Sequence, residues 1–119
     1  MTRALLCVAV LAGFAVGIAP PPLVAIVSAP AFATDQQSLT IRVRVEPDPE
    51  NRRLTLAAVQ DDVIVRRSDE DLDGAAAPRT RWVTWYPLPE GEFVLVAVVW
   101  GTGYQRGRDW RTLTVIGMR

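Results

Sequence analysis

Apolar and polar residues alternate along several short stretches of this chain. Leu39, Ile41, Val43 and Val45 alternate with Thr40, Arg42, Arg44 and Glu46, a period of two that predicts a strand with one face in a core and one in water. Pro47-Asp48-Pro49-Glu50-Asn51 ends it, because proline cannot donate to a ladder and Asp and Asn favour turns. Leu54, Leu56 and Ala58 resume the alternation, and Gln60-Asp61-Asp62 predicts a tight turn into Val63-Ile64-Val65. No apolar period runs through residues 66–81, which read as a surface loop with at most one helical turn. Trp82, Thr84, Tyr86 and Leu88 share one face of the next predicted strand. Phe93 to Trp100 is an unbroken apolar run rich in Val and too short for a helix, so it predicts a central strand. A glycine-punctuated hairpin loop, Gly101 to Gly107, leads to a last strand at Asp109 to Ile116. Six or seven short strands with no amphipathic helix and no repeat predict an antiparallel β-sandwich.

A different pattern opens the chain. After Arg3 an almost continuous apolar run extends from Ala4 to Ala33 and closes on Ala31-Phe32-Ala33, just before Thr34-Asp35-Gln36-Gln37. This predicts an export signal over residues 1–33 and a single mature domain over residues 34–119, periplasmic or secreted. A membrane anchor is the weaker alternative. Ala4 to Ala19 would span about 24 Å as a helix, short of the roughly 30 Å hydrocarbon core, and Pro20-Pro21-Pro22 blocks a straight continuation. Cys7 sits near the start of the run rather than at its end, which argues against a lipoprotein anchor.

Composition narrows the chemistry. The chain has no Lys and no His, and its one cysteine, Cys7, lies in the leader, so disulfides cannot reinforce the expected domain. The 13 arginines are spread along the chain and balanced by 13 Asp and Glu. That is a poor match to nucleic acid or an anionic membrane surface. Ser38 and Ser68 are the serines of the expected mature part, with no His or Lys to activate either. Carboxylate pairs such as Asp61 with Asp62, or Glu90 with Glu92, fall in predicted turns of a domain too small to enclose a sugar cleft. The composition therefore favours a non-enzymatic protein.

The segment Leu88-Pro89-Glu90-Gly91-Glu92-Phe93-Val94-Leu95-Val96-Ala97 resembles the fibronectin type III and related immunoglobulin-like bacterial domains, in which a Leu-Pro-x-Gly turn leads through an aromatic residue into an alternating strand. The resemblance in length and strand spacing covers residues 38–116. It implies an immunoglobulin-like β-sandwich and a role as a spacer, binding module or assembly part, and it carries no catalytic residue. Carboxypeptidase regulatory-like and transthyretin-like sandwiches have similar turns. Phe93 stands where the family usually has a Tyr whose hydroxyl bonds back to the corner backbone, and the immunoglobulin disulfide is absent.

Three constellations are candidates for function. Asp69-Glu70-Asp71-Leu72-Asp73-Gly74 has the alternating carboxylates and glycine of a calcium loop, so Asp69, Asp71 and Asp73 are candidate Ca²⁺ ligands. Thr80 stands where that motif needs a bidentate Glu, and an acidic loop paired with Arg66, Arg67, Arg79 or Arg81 is the competing reading. The second constellation follows from strand parity. If Phe93, Leu95, Ala97 and Val99 face inward, then Val94, Val96, Val98 and Trp100 face outward beside Trp110, Thr112, Thr114 and Ile116. Such a stripe suits a protein partner or self-association, unless other strands or the leader cover it. The third is the loop at residues 101–109, where Tyr104, Arg106 and Arg108 offer stacking area and forked donors to a sugar or acidic peptide. Glycines needed only for a hairpin explain the same loop.

Overall fold

The computed structural model describes residues 22–118. Eight strands form two facing sheets: β1 (Val24–Ser28), β2 (Phe32–Thr34), β3 (Leu39–Val45), β4 (Arg53–Gln60), β5 (Val63–Asp71), β6 (Thr80–Trp85), β7 (Gly91–Trp100) and β8 (Gln105–Ile116). One sheet has the order β1-β3-β6 and the other β2-β8-β7-β4-β5. Pairing is antiparallel throughout except that β2 runs parallel to β8. This is an immunoglobulin-like sandwich, as expected: β3 to β8 are the six strands of the expected mature part, and β1 and most of β2 come from the run read as a leader.

Alternation builds the core. Leu39, Ile41, Val43 and Val45 face Leu54, Leu56, Ala58, Phe93, Leu95, Ala97 and Val99 across the sandwich, all buried. Each large side chain withdrawn from water in this way contributes roughly 1.5–3 kcal/mol. The tight turn after Gln60 is a two-residue hairpin in which Asp61 (φ 51°) and Asp62 (φ 64°) are both left-handed, matching the right-handed twist of the flanking strands. Gly91 (φ 146°) begins β7 in a conformation that side chains rarely adopt, and a Cβ there would clash with the side-chain amide nitrogen of Gln60.

The expected boundary after Ala33 falls within this architecture. Residues 24–28 and 32–34 are strands, and Val24, Ile26 and Ala33 are core residues at 2%, 1% and 4% exposure. The backbone N–H of Ile26 bonds Asp109 Oδ2 at 2.8 Å, and its carbonyl accepts from Arg111 at 2.8 Å, so two β8 side chains satisfy the edge of β1. Gly107 leaves room for this docking: a Cβ there would stand 3.2 Å from the Leu23 Cβ. A domain starting at Thr34 would lose β1 and most of β2. The earlier part of the predicted leader, residues 1–21, lies outside the described residues. Among the described residues no helix is long and apolar enough to cross a membrane.

The predicted loop at 66–81 is also revised. Its first part continues β5 to Asp71, and a single 3₁₀ turn at Gly74–Ala76 follows. The inward positions of this strand are polar because they lie at the open side of the sandwich. Arg66 donates to the Tyr86 and Pro87 carbonyls, Ser68 accepts from the Trp85 indole at 2.7 Å, and Glu70 pairs with Arg81. These contacts tie the edge of one sheet to the edge of the other.

Candidate functional site

The outer face of the five-stranded sheet gathers the residues that parity predicted. On β7, Phe93, Leu95, Ala97 and Val99 are buried while Val94, Val96, Val98 and Trp100 point away from the core. On β8, Leu113 and Val115 are buried and Trp110, Thr112, Thr114 and Ile116 point outward. Register then sets the rows of the surface. Val96 lies between Ala57 and Trp110, Val94 between Val59 and Thr112, and Val98 between Thr55 and Arg108. Trp110 is 57% exposed and Val94 36%, so the stripe is open to water.

Three outward residues extend the face beyond the predicted set: Val59 from β4, Ile64 from β5 and Phe32 from β2, the last 67% exposed, while outward Ala57 on β4 is covered by its neighbours. The β4 pair was legible, because inward Leu54, Leu56 and Ala58 imply outward Thr55, Ala57 and Val59. Phe32 was not, since it was read as part of a cleavage motif. A shallow groove of about 270 Å³ crosses the face between Val59, Asp61, Glu92, Val94, Thr112 and Thr114. Asp61 and Glu92 line it, and Arg67 and Arg108 stand farther along the same face, opposite Ala57 and Val98. An apolar surface with a polar rim is what protein docking sites present.

At one end the face meets a second cleft, about 420 Å³, lined by Arg52, Arg53, Asp71, Trp100, Gly101 and Gly103. A hydrogen-bond chain crosses three strands beside it. The Trp100 indole donates to the Thr55 hydroxyl at 3.0 Å, which donates to Asp69 Oδ1 at 2.5 Å, and Arg67 Nε donates to Asp69 Oδ2 at 2.8 Å. The Thr55 bond, then the Arg67 bond and nearby guanidinium charges, hold the Asp69 carboxyl below the usual carboxylate range. The Arg53 guanidinium lies 5.5 Å from the Trp100 ring centroid, a cation–π distance. Its Nε is buried without a hydrogen bond, 3.9 Å from Asp69.

The loop residues proposed for ligand binding are placed differently from one another. The Tyr104 hydroxyl donates to Glu50 at 2.6 Å, which raises the phenol pKa above its ordinary value. Arg106 donates to Asn51 Oδ1 at 2.6 Å and pairs with Asp48 at 3.2 Å. Both side chains therefore brace the connection between β3 and β4. Arg108 instead stands exposed on the outer face opposite Val98.

The calcium reading needed a loop, and the structure supplies a strand. Asp69 and Asp71 alternate on β5 about 6.6 Å apart along the chain, and Asp69 is already bonded to Thr55 and Arg67. Asp73 precedes the 3₁₀ turn without a side-chain capping bond. Among the described residues no three His, Cys, Asp or Glu converge to hold a metal.

Comparison with known proteins shows relationship at the level of fold. No protein-family profile matches the chain, and no curated relative matches its sequence. Solved structures do match. A superoxide reductase (neelaredoxin) from Ignicoccus hospitalis superposes with a TM-score of 0.59 at 18% identity, over 77% of this chain and 79% of that one. The CARDB domain of a Pyrococcus furiosus protein, solved in complex with di-metal ions, gives a TM-score of 0.58 at 13% identity, over 83% and 96%. The sulfur carrier protein SoxY from Chlorobium limicola f thiosulfatophilum gives 0.59 at 20% identity, over 92% and 94%. At these identities the likeness shows a shared small all-β sandwich and nothing of shared chemistry.

Proposed function

We propose that this protein is an extracytoplasmic, non-enzymatic binding or assembly module that engages a protein through the outer face of β7 and β8. The observation that carries this reading is the apolar surface around Val94, Val96, Val98, Trp100 and Trp110, left uncovered by any described strand and crossed by a groove. Neighbouring strands widen the surface rather than hide it. The fold is of the kind the fibronectin type III resemblance implies, with the β8-β7-β4-β5 order placing the last two strands at the centre of the larger sheet. The export reading fits the apolar N-terminal run, with the leader ending before Leu23 so that β1 stays in the domain.

The test is site-specific photo-crosslinking in the producing cell, with the probe at Val96 on the proposed face and at Thr84 on the opposite sheet. A discrete protein adduct from Val96 alone, lost when Trp110→Ala is added, supports the reading. Equal labelling from both positions would sink it.

A second reading rests on the end cleft. Arg52, Arg53 and Trp100 present cationic and aromatic surface to a small acidic ligand, with Arg53 seated over the Trp100 ring at the cleft wall. Quenching of tryptophan fluorescence by an acidic peptide, abolished in Arg53→Ala, would support it.

A further inference from the structure

Strand β5 closes one side of the larger sheet, and no described strand pairs with its outer edge. It is nine residues long and contains neither proline nor lysine, two residues with which soluble proteins often blunt such edges. The N–H of Leu72 donates to the Arg52 carbonyl. Continued along the β4–β5 register, that spacing turns the backbone groups of Glu70, Ser68 and Arg66 toward β4. Those of Asp71, Asp69 and Arg67 are left on the open edge.

We propose that two copies of this chain pair antiparallel through their β5 edges, centred on Ser68. The sequence Arg66-Arg67-Ser68-Asp69-Glu70 reverses its charge about that serine. In an antiparallel pair Arg66 stands opposite Glu70 of the second copy and Arg67 opposite Asp69, and the two-fold axis repeats both pairs. Backbone and side chains agree on this register. Arg67 and Asp69, whose N–H and C=O groups have no partner among the described residues, fall opposite each other and form the hydrogen-bonded positions of the new ladder. The next registers that keep backbone groups facing set Asp69 against Asp69 or Arg67 against Arg67. Within one chain the charges are already held at the edge, Arg67 on Asp69, Arg66 on the Tyr86 and Pro87 carbonyls, and Glu70 on Arg81. The two-fold axis stands perpendicular to the sheet, so the outer faces of both copies merge into one ten-stranded surface. This pairing is independent of which partner that face binds.

Sedimentation velocity on the full chain from about 1 to 100 μM tests it. The wild type forms a reversible dimer. An acidic variant, Arg66→Glu with Arg67→Glu, sets like charges opposite each other at all four ionic pairs, and so does a basic variant, Asp69→Arg with Glu70→Arg. Each alone dimerises roughly 100-fold more weakly or not at all, while a one-to-one mixture of the two restores the dimer as a heterodimer. Circular dichroism reports whether each variant is folded. Should the charge variants unfold, Arg67→Pro decides, because it removes an outward N–H without breaking a bond to β4. A monomeric wild type at the highest concentration, a dimer indifferent to charge reversal, or one lost through Val96→Glu instead overturns the proposal.

Discussion

Replacing Ile26 with alanine tests whether β1 belongs to the working domain. Ile26 is 1% exposed, and its backbone is held by Asp109 and Arg111 from the far end of the chain. The substitution removes three buried carbons, about 2.4 kcal/mol at roughly 0.8 kcal/mol each. The cavity left between the sheets brings the expected loss to about 3 kcal/mol, within the 2–5 kcal/mol range of such truncations. For a domain of this size that corresponds to a melting temperature lower by roughly 12–24 °C. The assay is thermal unfolding followed by circular dichroism on a chain that retains residues 22–119. Val27→Ala is the control, because Val27 is 43% exposed beside the bulge in β1 and its loss should cost under about 0.5 kcal/mol. Equal melting temperatures for the two variants would refute the docking of β1. So would a chain beginning at Thr34 that unfolds with undiminished cooperativity and stability.

Other outcomes follow from single sites. Asp69 titrates below its ordinary value in the fold, so its bonds stabilise the protein above the unfolded carboxyl pKa near 3.8 and lose that effect as pH falls through the lower folded value. Acid titration of stability should show this loss in the wild type and a flatter curve in Asp69→Asn. Gly91→Ala should lower stability by about 1–2 kcal/mol in chemical denaturation, because alanine is strained at φ 146° and its Cβ meets Gln60. Asn51 is 1% exposed, donates to the Glu46 carbonyl and accepts from Arg106. Asn51→Ala should cost roughly 1–3 kcal/mol, and a loss no larger than that of an exposed site such as Val27→Ala would show these bonds to be incidental.

What was legible in the chain was the part where burial alone decides side-chain identity. β3 reads from its alternation, and the facing of β7 and β8 from inward Phe93, Leu95, Leu113 and Val115. β1 was hidden because its outward residues, Ala25 and Val27, are also apolar, so Val24–Ser28 merges with the apolar N-terminal run. β5 was hidden for the opposite reason. Its inward Arg66, Ser68 and Glu70 meet carbonyls, an indole and a guanidinium at the sandwich margin, and no local pattern announces partners 11 to 21 residues away. Tyr104 and Arg106 illustrate the same limit at the candidate site. Residue type suggested ligand contact, whereas their bonds to Glu50 and Asn51 link positions 54 and 55 residues apart.

The dependence of β1 and β2 on β8 orders the folding of the chain in time. β2 finds its partner in the last strand, and Ile26 is fastened by Asp109 and Arg111, 83 and 85 residues later. Closing a loop of that length carries an entropic cost before any contact rewards it. A chain emerging from its N-terminus can pair β1 with β3 early, but the outer edge of β1 and the whole of β2 find their partners only once β8 has appeared. During synthesis the outer edge of β1 and the backbone of β2 stay unsatisfied, and the sandwich locks only when the C-terminal strand arrives.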